Sequence, residues 1–426
     1  MSQRRRHIPR QAYGEFGRGH ATIQGRNFVK GSFKELDLRR YSERLPWSAP
    51  KNAYSLLLLQ RRLAGANLLD LTLTNPTEAF ADYPHKDIAG AFGAIADFQY
   101  EPDAFGSLNA RRALTDWYAA QGMRTNPNHI ALTASTSEAY SVLFKLLCDP
   151  GDEVLIPSPS YPLFEYLARA EGVRTTPYQL VYDGAWFVDF DSLRNAISPR
   201  TKAIVVVNPN NPTGSYLKKK EANELIALAA RHGLALISDE VFMTYPVLET
   251  DDRVQSLIEH EGVLSFSLNG LSKAAGMPQM KIGWIAANGP EAEVASALAK
   301  LELLLDSYLS VGTPVQRALG ELLRIGSGIR AKICSRLCQN REALGVLENS
   351  PVRALASEGG WSAILQVPRV RTEEAWITSL LAEHGVVVQP GYFYDVANEA
   401  FLVVSLITPS ETFAAGIGRL KALADQ

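Results

Sequence analysis

Residues 203–238 read AIVVVNPNNPTGSYLKKKEANELIALAARHGLALIS. A β-branched apolar run (AIVVV) passes into a turn rich in Asn, Pro and Gly, then into an amphipathic stretch of helical period, and ends in a second apolar run (LALIS). Strand, helix and strand in that order form a βαβ unit, in which two parallel strands are joined by a helix crossing one face. The same alternation extends outward in both directions. IALT precedes SEAYSVLFKLLC, EVLIP precedes YPLFEYLARAEG, and VLSFSL and GWIAA follow. The pattern predicts an α/β fold whose large domain has a mostly parallel central sheet covered by helices on both faces. Such sheets bind their ligands at the carboxyl ends of the strands.

Beyond about residue 290 the pattern changes to long helical stretches (EAEVASALAKLELLLDSYLS, PVQRALGELLRIGSGIRAKICSRLCQNREALGVL) followed by strand-like WSAILQV, GVVVQP and FLVVSL. That order predicts a connecting helix leading to a smaller α+β lobe.

Composition sets the outer bounds. The chain has 426 residues, 46% hydrophobic and 21% charged, with a formal net charge of −2, a balance that points to neither nucleic acid nor membrane as a partner. The longest leucine-rich stretch, LLLLQRRLAGANLLDLTL, is interrupted by two arginines and an aspartate and is too charged to span a bilayer. The N-terminus has a basic start without an apolar h-region, so no signal peptide is expected. Ten Lys and Arg against three acids in the first forty residues read as a solvated, poorly ordered arm, with no helix–turn–helix pattern for DNA. Three cysteines, Cys148, Cys334 and Cys338, are too few for a disulfide framework. With no neighbouring His they predict no metal site, and the expected compartment is the reducing cytoplasm.

Polar chemistry gathers where the strands end. In TASTSEAY, Ser135, Thr136 and Ser137 stand at the start of a helix, where hydroxyls and free N–H groups suit a phosphate or serve as a plain N-cap. NPNNPTG is a constrained turn that presents the amide of Asn211. Asp239 follows LALIS, so a carboxylate ends a buried strand and needs a positive partner. Lys273, in NGLSKAAGMPQMKIGW, is a strand-end amine with no acid nearby in the chain; burial would lower its pKa and make it a nucleophile for an aldehyde. Phosphate site, fixed amide, buried carboxylate and reactive lysine together describe a seat for pyridoxal 5′-phosphate.

NPNNPTG, DEVF and LSK in this order resemble the class I/II, fold-type I pyridoxal-phosphate aminotransferases, over roughly residues 65–420. The resemblance implies Lys273 as the Schiff-base lysine, Asp239 as partner of the pyridine nitrogen, and Asn211 as donor to the phenolic oxygen. Tyr161, in SPSYP, would stack on the ring. Ser135, Thr136, Ser137, Ser272 and Lys281 would surround the phosphate. Tyr100, in YEPDAFG, would reach the phosphate across the interface of a homodimer with shared active sites. The implied organisation is a basic arm over residues 1–33, a small domain from residues 34–73 plus 306–426, and a large cofactor-binding domain over residues 74–305. The implied reaction moves an amino group from an amine or amino acid to a 2-oxo acid. A β-eliminating or decarboxylating lyase, and a cofactor-binding regulatory protein with reduced catalysis, are the alternative readings.

Four positions depart from the family pattern. Lys281 stands where an arginine is usual, Gly270 where a serine is frequent, and Phe242 where a tyrosine is usual. Val403, in FLVVSLITP, stands where the family carries the arginine that clamps a substrate carboxylate. Asn75, in LTLTNPTEAF, is expected to help orient the substrate, with ordinary loop packing as its other reading. The aromatic segment GYFYD (Gly391–Asp395) is a candidate wall of the pocket.

Overall fold

The computed structural model describes residues 42–46, 52–247, 251–398 and 400–426, so the arm assigned to residues 1–33 lies outside the described residues. The chain divides into two units, residues 1–66 and 67–426. In the first, the helix Ala53–Leu63 begins at Asn52, whose side chain caps it by accepting the Ser55 N–H.

The second unit is built on an eight-stranded sheet. Its strands are β1 (Ile130–Thr133), β2 (Glu153–Ser158), β3 (Arg174–Tyr182), β4 (Trp186–Val188), β5 (Thr201–Val207), β6 (Ala235–Asp239), β7 (Ser265–Gly270) and β8 (Gly283–Asn288). They lie side by side in the order β1-β8-β7-β6-β5-β2-β3-β4. Neighbours from β7 across to β3 run parallel, whereas β8 is antiparallel to both β7 and β1, and β4 is antiparallel to β3. The βαβ unit of residues 203–238 sits in the middle of this array, where β5 and β6 are buried on both faces.

The strands β3 and β4 are absent from the sequence reading because RTTPYQ is polar and Pro177 interrupts it. Pro177 is accommodated opposite Ile156 of β2, near the sheet edge.

The crossover helix α1 (Thr136–Leu147) lays Ala139, Tyr140, Leu143 and Phe144 into one cluster with Val205, Ile237, Phe266 and Leu268 of the sheet. Each large side chain buried this way contributes about 2 kcal/mol relative to exposure. A short helix, α2 (Leu271–Ala274), follows β7 directly. The helix α3 (Glu291–Asp306) and the 31-residue α4 (Thr313–Ala343) come next, as the long helical stretches predict. Helix α4 presses on the segment after α2 closely enough to need glycine there. A Cβ on Gly326 would lie 2.4 Å from the Ala275 Cβ, and Gly276, at φ +62°, turns the chain under Ile329.

Four further strands, β9 (Arg353–Ala354), β10 (Ser362–Gln366), β11 (Gln389–Pro390) and β12 (Phe401–Ser405), form an antiparallel sheet in the order β9-β10-β12-β11. Among the described residues, no helix is long and apolar enough to cross a membrane. Nor does any group of three His, Cys, Asp or Glu residues among them stand placed to hold a metal ion.

Candidate active site

Lys273 rides on α2, one short turn beyond β7. Its position is fixed by β7 itself, which alternates Phe266 and Leu268 into the core with Ser265, Ser267 and Asn269 toward the opposite face. Gly270 pairs closely with Gly283 of β8: a Cβ on Gly270 would stand 3.1 Å from the Ile282 carbonyl oxygen, so a side chain there would require the neighbouring strand to give by a few tenths of an ångström.

The Lys273 side chain is half-buried, with Nζ 5.1 Å from the centre of the Trp361 ring and 5.9 Å from that of Phe242. Burial pulls its pKa down to about 8, opposed by the negative charge of Asp239. An amine with that pKa is unprotonated in a useful fraction near neutral pH. The Tyr245 hydroxyl donates to the Lys273 carbonyl at 2.5 Å and fixes the backbone of α2.

Asp239 ends β6, only 8% exposed. Its carboxylate accepts the Tyr140 hydroxyl at 3.1 Å and the Val241 N–H at 3.2 Å. Burial still raises its pKa to about 6, because those two bonds and the Lys273 charge offset desolvation only in part. The neighbouring Glu240 points into the protein, where Ser238, Ser256, Ser267 and the Leu257 N–H all donate to it. It is pushed up to about 7 by burial and anchors the loop that carries Asp239.

Tyr161 lies in this neighbourhood too, its phenol raised to about 12 by burial first and by the Asp239 charge second. Its ring meets Phe164 edge-on, and Phe164 meets Tyr140 in the same way, so one aromatic chain supports both Tyr161 and the donor to Asp239. Asn211 is held from the small sheet: the Ser362 hydroxyl donates to its Oδ1 at 3.1 Å. With that oxygen engaged, the amide N–H of Asn211 is left as the group it can offer.

The residues assigned to the phosphate follow β1 and β7 or precede β8. Ser135 is the N-cap of α1, its Oγ accepting the Glu138 N–H at 3.2 Å, so its hydroxyl oxygen serves the cap that the plain reading foresaw. The backbone beside it nevertheless meets Gly283 closely: a Cβ on Gly283 would lie 2.9 Å from the Thr136 nitrogen. Gly283 pairs with both Thr133 and Gly270, which brings the first turn of α1 alongside the strand that leads to Ser272 and Lys273. A helix N-terminus beside glycine backbone, with Thr136 and Ser137 in its first turn, has the donor chemistry a phosphate needs; Ser272 adjoins Lys273, and the exposed Lys281 lies two residues before Gly283. Together with a nucleophilic lysine and a buried carboxylate, these residues fit pyridoxal 5′-phosphate.

Other residues lie apart. Tyr100 is 65% exposed and borders a surface depression lined by Leu305, Leu309 and Gln316. Asn75 caps the short helix Pro76–Ala79, accepting from the Thr77 N–H and hydroxyl and donating to Glu78. That is what loop packing predicts of it. Val403 is 1% exposed and sits among Trp186, Leu355, Ile364 and Tyr394, so the position of the carboxylate clamp lies inside an apolar cluster. Sequence reading passed over Tyr140, Tyr245, Trp361 and Ser362. Tyr140 falls within the TASTSEAY segment, and Trp361 follows a Gly-Gly pair, but neither carries a local sign of its partner.

Residues 63–419 match the family described as Aminotransferase class I and II. A glutamate-pyruvate aminotransferase of Escherichia coli (strain K12) is 30% identical over 263 residues, 60% of this chain, and the chain spans 63% of that relative's length. An alanine aminotransferase of Mycobacterium bovis is 29% identical over 369 residues, 84% of this chain and 85% of that protein. Among solved structures, an alanine aminotransferase from Pyrococcus furiosus superposes with a TM-score of 0.77 at 23% identity, covering 87% of this chain and 95% of that one, a likeness of fold.

Proposed function

The chain belongs to the class I and II aminotransferases, a pyridoxal-phosphate-dependent family, and we propose that it moves an amino group from an amine or amino acid donor to a 2-oxo acid. The single observation that carries this reading is the pairing of an amine lowered to about 8 with a buried carboxylate at adjacent strand ends. When bound, the cofactor supplies an aldehyde that captures amines and a ring that accepts the electrons released at the substrate Cα.

The chain's own residues hold and exploit it. Lys273 Nζ would be the nucleophile for the aldehyde and, when free, would carry the proton taken from the substrate Cα. Asp239, oriented by Tyr140, would balance a proton at the ring nitrogen. Asn211 would offer its amide N–H to the phenolic oxygen, and Tyr161 would support the ring. Thr136, Ser137, Ser272, Lys281 and the N-terminus of α1, with Ser135 as its cap, would hold the phosphate. Tyr100 would complete the phosphate site of a second copy, a role open to a side chain that is 65% exposed. A homodimer follows from that assignment. Three unpaired cysteines fit a reducing cytoplasm.

The names of the relatives make L-alanine, L-glutamate and pyruvate the first probes. Mixing the cofactor-loaded protein with L-alanine should convert the bound cofactor to its amine form with release of pyruvate, read as loss of the visible absorbance band. Release of ammonia and pyruvate from L-serine without an acceptor, or of carbon dioxide from an amino acid, would instead identify a lyase, and no spectral change with any amine would favour a regulatory protein. Lys273→Ala should lose the visible band and all turnover; an unchanged band in that variant overturns the assignment of the lysine.

A further inference from the structure

The clamp position is apolar, yet the row of side chains that contains it is not wholly so. Val403 of β12 pairs with Ile364 of β10 on one side and with Gln389 of β11 on the other. Residues directly opposite in antiparallel strands project from the same face, so Ile364, Val403 and Gln389 form one row. Ser362 lies two residues from Ile364 along β10, hence on that face as well, and its hydroxyl touches Asn211. The row containing Gln389 therefore faces the side of the small sheet on which Asn211 stands.

Gln389 is half-buried and held in one orientation. Its Oε1 accepts the hydroxyl of Tyr394. Tyr394 is buried, and burial holds its phenol well above the usual range, so it remains protonated and donates. The same residue's carbonyl accepts the Ser160 N–H at 2.9 Å, which ties Tyr394 to the loop that carries Tyr161. With Oε1 engaged, Gln389 has its Nε2 hydrogens free among the described residues, linked through Tyr394 to the loop that carries Tyr161.

We propose that Gln389 is a specificity-determining residue, its side-chain amide donating to an oxygen of the substrate's carboxyl group in place of the arginine absent at Val403. A neutral amide makes one directional bond and no ion pair. The site then reads the position of an oxygen with little regard to its charge. Substrates whose carboxylate is replaced by a primary amide are accommodated where a guanidinium would reject them.

This rests on the aminotransferase reading, and the test separates the two. The holoenzyme is given L-alanine or L-alaninamide, and single-turnover conversion of the bound cofactor is followed by its visible absorbance; the nitrogen leaves as the cofactor amine, with pyruvate or pyruvamide as the other product. The unaltered protein should process both with KM values within about tenfold of each other. Gln389→Glu preserves shape and still accepts from Tyr394, but sets a carboxylate against a carboxylate. Its KM for L-alanine should rise about 30-fold or more, while L-alaninamide, which can donate to the new carboxylate, changes less than about threefold. Gln389→Met, which removes the donor without adding charge, should raise KM for both by about tenfold with little change in kcat. Parallel losses for both substrates in Gln389→Glu, or unchanged KM in both variants, overturn the assignment of Gln389. Failure of the unaltered protein to convert these two or any other amine of a panel of amino acids and amines overturns the aminotransferase reading itself.

Discussion

At the carboxyl ends of β6 and β7, almost every polar side chain has a partner: Tyr140 and the Val241 N–H on Asp239, four donors on Glu240, Asn269 donating to the Glu240 carbonyl. Across from it, the middle of β12 is filled by Val403 among Trp186, Leu355, Ile364 and Tyr394. The first region gathers the amine and the carboxylate proposed to hold pyridoxal phosphate. The second lacks the charge that ordinarily receives an α-carboxylate. Cofactor seat and substrate clamp are physically separable in this fold, because one is built on the parallel sheet and the other on the antiparallel one, and their residues are far apart in the chain.

The largest break in that comparison would come from Asp239→Asn. If the carboxylate stabilises a proton at the ring nitrogen, its loss should lower kcat by at least about 100-fold in single-turnover measurements. The cofactor-free protein should respond in the opposite sense. Asp239 has a pKa raised to about 6 from 3.8, so the folded state favours its protonated form. Stability from that group is therefore fully present below about pH 4 and is lost as pH rises through 6. Asp239→Asn should thus stabilise the cofactor-free protein by up to about 3 kcal/mol at pH 8 and by almost nothing at pH 4, read as the difference in Tm between the two. An equal Tm difference at both pH values would mean that Asp239 is not a strained charge.

Next in size is Val403→Arg, which places the usual clamp residue among the apolar side chains of that cluster. Burying a guanidinium there should cost about 2 kcal/mol in urea unfolding. A stable variant with tighter L-alanine binding would show that the second region is an open subsite and would collapse the contrast with the first.

The smallest effect is expected from Tyr140→Phe. It removes one hydrogen bond from Asp239 and should raise the carboxyl pKa further, with a stability change of about 1 kcal/mol. A pH–rate profile whose acidic limb moves upward in the variant checks it; an unmoved limb would separate Asp239 from that limb.

Much of the first region was legible along the chain. NPNNPTG, Asp239 and Lys273 each follow an apolar β-branched run, and such runs announce strands whose ends hold ligands. The second region announced only an absence, at Val403. Partners that complete the site were hidden because they come from distant segments: Tyr140 is 99 residues from Asp239, and Ser362 is 151 residues from Asn211. Strands β3 and β4 were hidden for a different reason, since an edge pairing tolerates polar residues and a proline that a central strand would not.

The sequence alone determined the α/β class and the family resemblance and singled out Lys273 as the candidate lysine, because hydrophobic period and strand-end motifs are local properties of the chain. Only the tertiary structure decided that Val403 is packed away, that Asn211 is aimed by Ser362, and that Gln389 shares a row with the missing clamp. Those facts depend on register between strands, and register is set by which side chains fit together across the sheet, a quantity no single segment contains.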